Sequence, residues 1–277
     1  MGKIIWLASY PKSGNTWMRA FLHNLMRDPP EGYDINRMGE FSLSDSTAFW
    51  YRAALAGKSP ETWTPEDIAG ARNPAQQIMT QATTDNVFVK THNAMVSYLG
   101  KPLICPEWTA GAIYIVRNPL DVVISLADHY GQTIEETLKN MADPGNVTIP
   151  NQDIVYEVHS SWSLNVQSWT TQPAPWVHIV RYEDMLNNPR KVFAKVAGFL
   201  GLKPSTARLD RAIQRSSFDS LRKQESEKGF RETSPKATRF FRVGKAGQWR
   251  DVLSDAQVEA VVAGHKEQMQ RFGYWPL

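Results

Sequence analysis

The sequence holds a single cysteine, Cys105, so neither an internal disulfide nor a multi-thiolate metal cluster can form, a usage suited to a reducing compartment. No apolar run approaches the ~18 residues that a membrane span requires. The apolar stretch from Ile4 to Ala8 stops at Ser9-Tyr10-Pro11-Lys12, too short for the core of a secretion signal. Trp6 stands where N-myristoylation needs Ser or Thr. Repeats, low-complexity tracts and long blocks of like charge are all missing, so a nucleic-acid partner is not expected. Lys plus Arg number 31 against 28 Asp plus Glu, and the net charge of +3 names no partner. With 42% hydrophobic and 21% charged residues the chain falls outside the disordered and fibrous classes. Its 277 residues suffice for a sizeable core. One domain over 1–277, cytoplasmic and without a membrane span, is expected; the oligomeric state stays open.

Short apolar runs alternate with helical patterns. Strands are predicted over Ile4–Ala8, Asn86–Lys90, Ala112–Val116 and Trp176–Val180, and helices over Thr16–Met26, Pro119–Tyr130 and Asp153–Thr170. Asn118-Pro119 is an N-cap with proline at the first helical position; Asn188-Pro189 opens another helix, which Gly201 stops. Ser254-Asp255-Ala256-Gln257 is a capping box for a last helix ending near Gly273. This alternation predicts the α/β class, a central parallel sheet flanked by helices. Three stretches fit poorly: 28–84, 131–150 and the basic 223–247. Long irregular segments of this kind should crowd the carboxyl ends of the strands, where open parallel sheets bind ligands.

Those strand ends carry the chemistry. The first strand runs into Tyr10-Pro11-Lys12-Ser13-Gly14-Asn15-Thr16-Trp17 and then a helix. Small residues there expose main-chain N–H groups and a helix N-terminus, an anion cradle to which Lys12 adds a full charge. The spacing Gly-x4-Gly-Lys-Ser/Thr of a Walker loop is absent. The other predicted strands end in Lys90, Arg117 and Arg181, whereas Asp121 and Asp184 come only four and three positions past those arginines. A magnesium-dependent nucleotidase wants a carboxylate at such an end to hold its metal, so an anion site without metal is expected. Lys90 and His92 are two apart and share a face in extended chain, which pairs a proton acceptor with a cation and suits activation of a hydroxyl.

The motifs resemble, in order and along nearly the whole chain, those of the cytosolic-type sulfotransferases that use 3′-phosphoadenosine 5′-phosphosulfate (PAPS). Residues 10–17 look like the 5′-phosphosulfate loop, with Asn15 where many members have Thr. Lys90-Thr91-His92 looks like the catalytic Lys-Thr-His segment, and Arg117 to Ser125 like the 3′-phosphate motif. Tyr182-Glu183-Asp184-Met185 is similar to the segment whose tyrosine reaches the adenine. Ser216-Ser217-Phe218 resembles Thr-Ser-Phe, and Phe241 to Trp249 the closing Arg-Lys-Gly-x-x-Gly-Asp-Trp. Val243 stands for the usual Lys and Gln248 for the usual Asp, and the animal dimer motif Lys-x-x-x-Thr-Val is not present.

The resemblance implies a P-loop-NTPase-like sulfotransferase fold and transfer of a sulfuryl group from PAPS to a hydroxyl or amine, releasing adenosine 3′,5′-bisphosphate (PAP) and using no metal. His92 would be the general base, Lys12 would stabilise the leaving oxygen and Lys90 the equatorial oxygens. Ser125 would contact the 3′-phosphate and restrain Lys12. The donor would be held by Lys12, Ser13, Gly14, Asn15, Thr16, Trp17, Arg117, Ser125, Tyr182, Ser216, Phe218, Arg242, Val243 and Gly244. A P-loop nucleotide kinase and a catalytically silent PAP- or sulfate-binding protein are the alternatives. The acceptor, whether small molecule, glycan, lipid or peptide, is not legible; Phe49, Trp50, Tyr51, His129, Tyr130 and Phe230 are candidates to line its pocket.

Overall fold

The computed structural model describes residues 2–171 and 174–276. Five strands form one parallel sheet in the order β2-β3-β1-β6-β7: β1 is Ile4–Ser9, β2 Ser42–Ser44, β3 Val87–Thr91, β6 Thr109–Val116 and β7 Val177–Arg181. A small antiparallel pair, β4 (Ser97–Tyr98) and β5 (Lys101–Pro102), lies apart from it. The helices are α1 (Asn15–Arg27), α2 (Pro65–Met79), α3 (Pro119–Tyr130), α4 (Ile134–Ala142), α5 (Trp162–Thr170) and α6 (Tyr182–Asn187). Five more follow: α7 (Pro189–Phe199), α8 (Thr206–Arg215), α9 (Phe218–Lys228), α10 (Trp249–Val252) and α11 (Asp255–Arg271).

Alternation along the strands divides the core between the two faces of the sheet. Ile4, Trp6, Val87, Val89, Ala112, Tyr114 and Val116 pack with Val122 and Val123 of α3, Trp162 and Trp169 of α5 and Met269 of α11. Leu7, Phe88, Ile113 and Ile115 point the other way, against Phe21 and Leu22 of α1, Phe193 of α7 and Leu209 of α8. The register pairs Leu7 with Lys90 and with Ile113, and Val116 with Arg181, so the chain leaves four strands along one edge.

The predicted strands and caps are present, each strand within about three residues of its expected bounds. The helix expected over 153–170 is only its second half. Residues 153–160 are not helical: Val155 N–H donates to the Ser46 carbonyl, and Ile154 and Val158 are bridged to Thr47 and Val147. Ser161, whose side chain accepts from the Leu164 N–H, starts α5. The stretches 28–84 and 131–150 hold helices α2 and α4, each opened by a capping box, Thr64 with Asp67 and Thr133 with Glu136.

Candidate active site

A cavity of 290 Å³ opens at the carboxyl edge of β1, β3 and β6. Its floor is the loop between β1 and α1. Lys12 takes a left-handed conformation, φ 64°, which few non-glycine residues adopt. Gly14 follows at φ 107°, where a Cβ would meet the Tyr182 ring at 2.7 Å, so only glycine fits the turn that opens α1. Asn15 donates to the Leu7 carbonyl at 2.8 Å and so fastens the loop to the strand that feeds it. Burial, with Arg117 and Lys90 nearby, lowers the Lys12 ammonium to about 8. Its Nζ rests over the Phe240 ring, 4.0 Å from the centroid.

Arg117 leaves the end of β6 and donates to the Lys12 carbonyl at 2.9 Å and to the Lys245 carbonyl at 3.4 Å. Its guanidinium lies over Tyr182, and Trp17 meets the same ring edge-on. The closing segment reaches the cavity through Arg242, Val243 and Gly244. At Gly244, φ 66°, a Cβ would stand 2.2 Å from the Phe218 ring. Asp121 accepts the N–H groups of Gly247 and Trp249 at 2.6 and 3.2 Å, which is how α3 holds this segment down. Gln248 lies 3.5 Å from an Arg242 nitrogen and donates to the Lys245 carbonyl at 3.0 Å.

The opposite end is built around His92, just beyond β3. Its Nδ1 lies 2.8 Å from the Ser9 carbonyl. A carbonyl only accepts, so Nδ1 carries the proton and Nε2 keeps a free lone pair. Burial and the charge of Lys90 bring this imidazole down to about 3, so it is neutral at pH 7. The His92 N–H donates to Glu157 at 3.0 Å. Burial opposes the charge on Glu157, but His159, His92 and Lys90 together hold it below the ordinary carboxylate range. Glu232, whose two oxygens accept from Arg19 Nη1 at 2.8 and 2.9 Å, lines the same end with His129, Tyr130 and Phe240.

Of the residues named for the donor, Lys12, Gly14, Asn15, Thr16, Trp17, Arg117, Ser125, Tyr182, Phe218, Arg242, Val243 and Gly244 line this one cavity, as do Lys90 and His92. Ser13 and Ser216 are not in the lining. The Ser13 side chain is fully buried behind the loop. Ser216 is spent on its own helix, donating to the Ala212 and Ile213 carbonyls, so a part for its hydroxyl in donor binding has no geometric support. Arg181 sits over Tyr274 and beside Asp184, away from the cavity. Of the aromatic candidates, His129 and Tyr130 line the cavity at the His92 end, whereas Phe49, Trp50, Tyr51 and Phe230 do not line it. Sequence reasoning missed Glu157, Glu232 and Phe240. Only Phe240, next to the closing motif, carried a signal, while Glu157 fell inside a segment read as helix.

A family model described as a sulfotransferase domain matches residues 3–273. Sulfotransferase 1A1 of Canis lupus familiaris is 25% identical over 96% of this chain and 83% of its own length. Sulfotransferase 2B1 of Mus musculus is 28% identical over 97% of this chain and 72% of its own. Among solved structures, mouse sulfotransferase SULT7A1 complexed with PAP superposes with a TM-score of 0.63 at 20% identity, covering 96% of this chain and 84% of that one. Retinol dehydratase in complex with androsterone and inactive cofactor PAP gives 0.67 at 19% identity, covering 96% and 80%. At those identities the two structures establish a shared fold.

Proposed function

The chain belongs to the sulfotransferase domain family, and from that premise we propose that it transfers the sulfuryl group of PAPS to an acceptor hydroxyl, with His92 as the general base. The observation that carries this reading is a neutral imidazole whose free Nε2 shares one cavity with Lys12, Lys90 and Arg117. The donor end fits an anionic nucleotide on its own chemistry: Arg117 Nε and Trp17 Nε1 are buried without a hydrogen-bond partner among the described residues, and such groups cost free energy unless something polar satisfies them.

The acceptor oxygen attacks sulfur as its proton passes to His92 Nε2. The bond from sulfur to the bridging oxygen breaks, and the electron pair leaves with the phosphate of PAP. Lys12 would neutralise that oxygen and Lys90 the equatorial sulfuryl oxygens, while Arg117, Ser125 and Arg242 would hold the 3′-phosphate. Trp17, Tyr182 and Phe218 offer aromatic faces for the adenine. Positioning and electrostatics supply the rate, with little covalent work by the protein.

Asp121 disfavours the kinase reading, since both its oxygens accept main-chain N–H groups and are committed to the closing segment. His92 disfavours a silent binder, which needs no base. The acceptor is a small molecule, or a sugar, lipid or peptide hydroxyl, that reaches His92 past Tyr130, His129 and Phe240. Incubation with sulfur-labelled PAPS and a panel of phenols, alcohols, sugars and peptides, with and without EDTA, tests the proposal. Labelled product in both conditions is expected. Transfer that EDTA abolishes and magnesium restores would refute the metal-free reading, and no transfer to any acceptor would refute the activity.

A further inference from the structure

Glu157 is a charged side chain inside the reaction cavity, 12% exposed, that the transfer chemistry above does not use. One of its oxygens accepts the His92 N–H at 3.0 Å, and the other lies 3.8 Å from His159 Nε2. Its own main chain is pinned: Glu157 N–H donates to Thr148 Oγ1 at 2.7 Å, and the Glu157 carbonyl accepts from Thr148 N–H at 2.9 Å. Next along, Val158 N–H donates to Asn93 Oδ1 at 2.7 Å and the Val158 carbonyl accepts from Ala94 N–H at 2.8 Å, which zips this segment to the one that carries His92. Asn165 Nδ2 donates to the carbonyls of both His92 and His159. The main chain that carries this carboxylate is thus tied to the segment that carries the base.

We infer that Glu157 is a positioning residue that makes His92 an effective base: it fixes the His92 main chain and supplies the negative charge that favours a proton on the imidazole. The inference rests on the transfer reading above. An accepted N–H alone would not call for a charged acceptor, because a carbonyl or an amide oxygen serves as well. What demands a charge is the company His92 keeps. Lys90 pushes it toward the neutral form, and burial does the same. A base held too weak transfers protons slowly. Glu232 lines the same end but is paired with Arg19 at 2.8 Å, and Asp45 behind the site is paired with Arg72 at 3.2 Å, so Glu157 is the carboxylate placed to offset Lys90 beside the imidazole.

The test is a double-mutant cycle of Glu157→Gln and His92→Ala, because the amide keeps an acceptor for the N–H and removes only the charge. The probes are 4-nitrophenol, phenol and benzyl alcohol at saturating PAPS, with PAP affinity and the thermal midpoint measured alongside. Glu157→Gln should lower kcat roughly tenfold, more for benzyl alcohol than for the acidic 4-nitrophenol, and leave PAP affinity unchanged. In the His92→Ala background it should do almost nothing. Glu157→Asp, which keeps the charge, should retain the wild-type dependence on acceptor acidity, and it carries the test if the glutamine variant does not fold. Equal losses across the three probes, or the same loss without His92, would overturn the inference while leaving the transfer reaction standing. A wild type that transfers label neither to these probes nor to any alcohol, sugar or peptide of the panel above would refute the transfer reading and this inference with it.

Discussion

The two ends of the cavity are built by different means. The donor end is main chain and cations: a left-handed Lys12, Gly14, the start of α1, and Arg117 bonded to the carbonyls of Lys12 and Lys245. The acceptor end is side chains from separated stretches, His92 after β3, Glu157 before α5, Glu232 and Phe240 after α9. A site made of N–H groups tolerates exchange of side chains. Asn15 and Val243, two of this chain's departures from the family pattern, both fall there. At the other end the proposed base is one side chain, His92, and no main-chain group can replace it.

The largest effect should therefore come from the acceptor end. His92→Ala is expected to lower kcat by ~10²–10⁴-fold with PAP affinity within about twofold of wild type. A variant that keeps more than half of the wild-type rate, with chemistry rate-limiting, would break the comparison. Lys12 sits at the junction, so Lys12→Ala should lose both, with kcat falling ~10²–10³-fold and PAP bound more weakly. The Lys12 ammonium, brought to about 8 by burial, Arg117 and Lys90, also sets a pH dependence. Below that pH the amine is charged and a bound dianion raises its proton affinity further. Calorimetry should show PAP affinity level up to about pH 7 and falling as pH rises through about 8, a slope that Lys12→Ala removes.

Smaller effects sharpen the donor end. Arg117→Ala and Arg242→Ala each remove charge-assisted hydrogen bonds worth ~1.5–3 kcal/mol. PAP should bind at least tenfold more weakly to each, with kcat at saturating donor much less affected. Val243→Lys adds a cation at the mouth, and about threefold tighter PAP binding is expected. An unchanged affinity would show that the main chain at 243 and 244 already satisfies the phosphate.

The same contrast explains what could be read without a structure. The loop from Tyr10 to Trp17 is local: small residues, a glycine with positive φ and a helix start have to be adjacent in sequence to bind an anion. Asn118-Pro119 announced α3 for the same reason, and its cap forms as expected, with Asn118 accepting from the Leu120 N–H. Glu157 could not be found this way, since it meets His92 across 65 residues of chain. Val155, Tyr156 and Val158 imitate a helical face, yet the backbone beside them pairs with Ser46 and Ala94. Ser216 shows the opposite case: its motif was legible, but the hydroxyl bonds back into α8 and lies outside the cavity lining. The capping boxes of α2 and α4 were written in Thr64–Asp67 and Thr133–Glu136, inside stretches whose polarity reads as loop.

The central claim is that the donor end recognises a nucleotide with a 3′-phosphate. Calorimetric titration of the wild-type protein with PAP and with AMP, in the same buffer containing EDTA, tests it most directly. A preference for PAP of at least ~10²-fold is expected, because AMP leaves Arg117 and Arg242 without the dianion; equal affinities would contradict it.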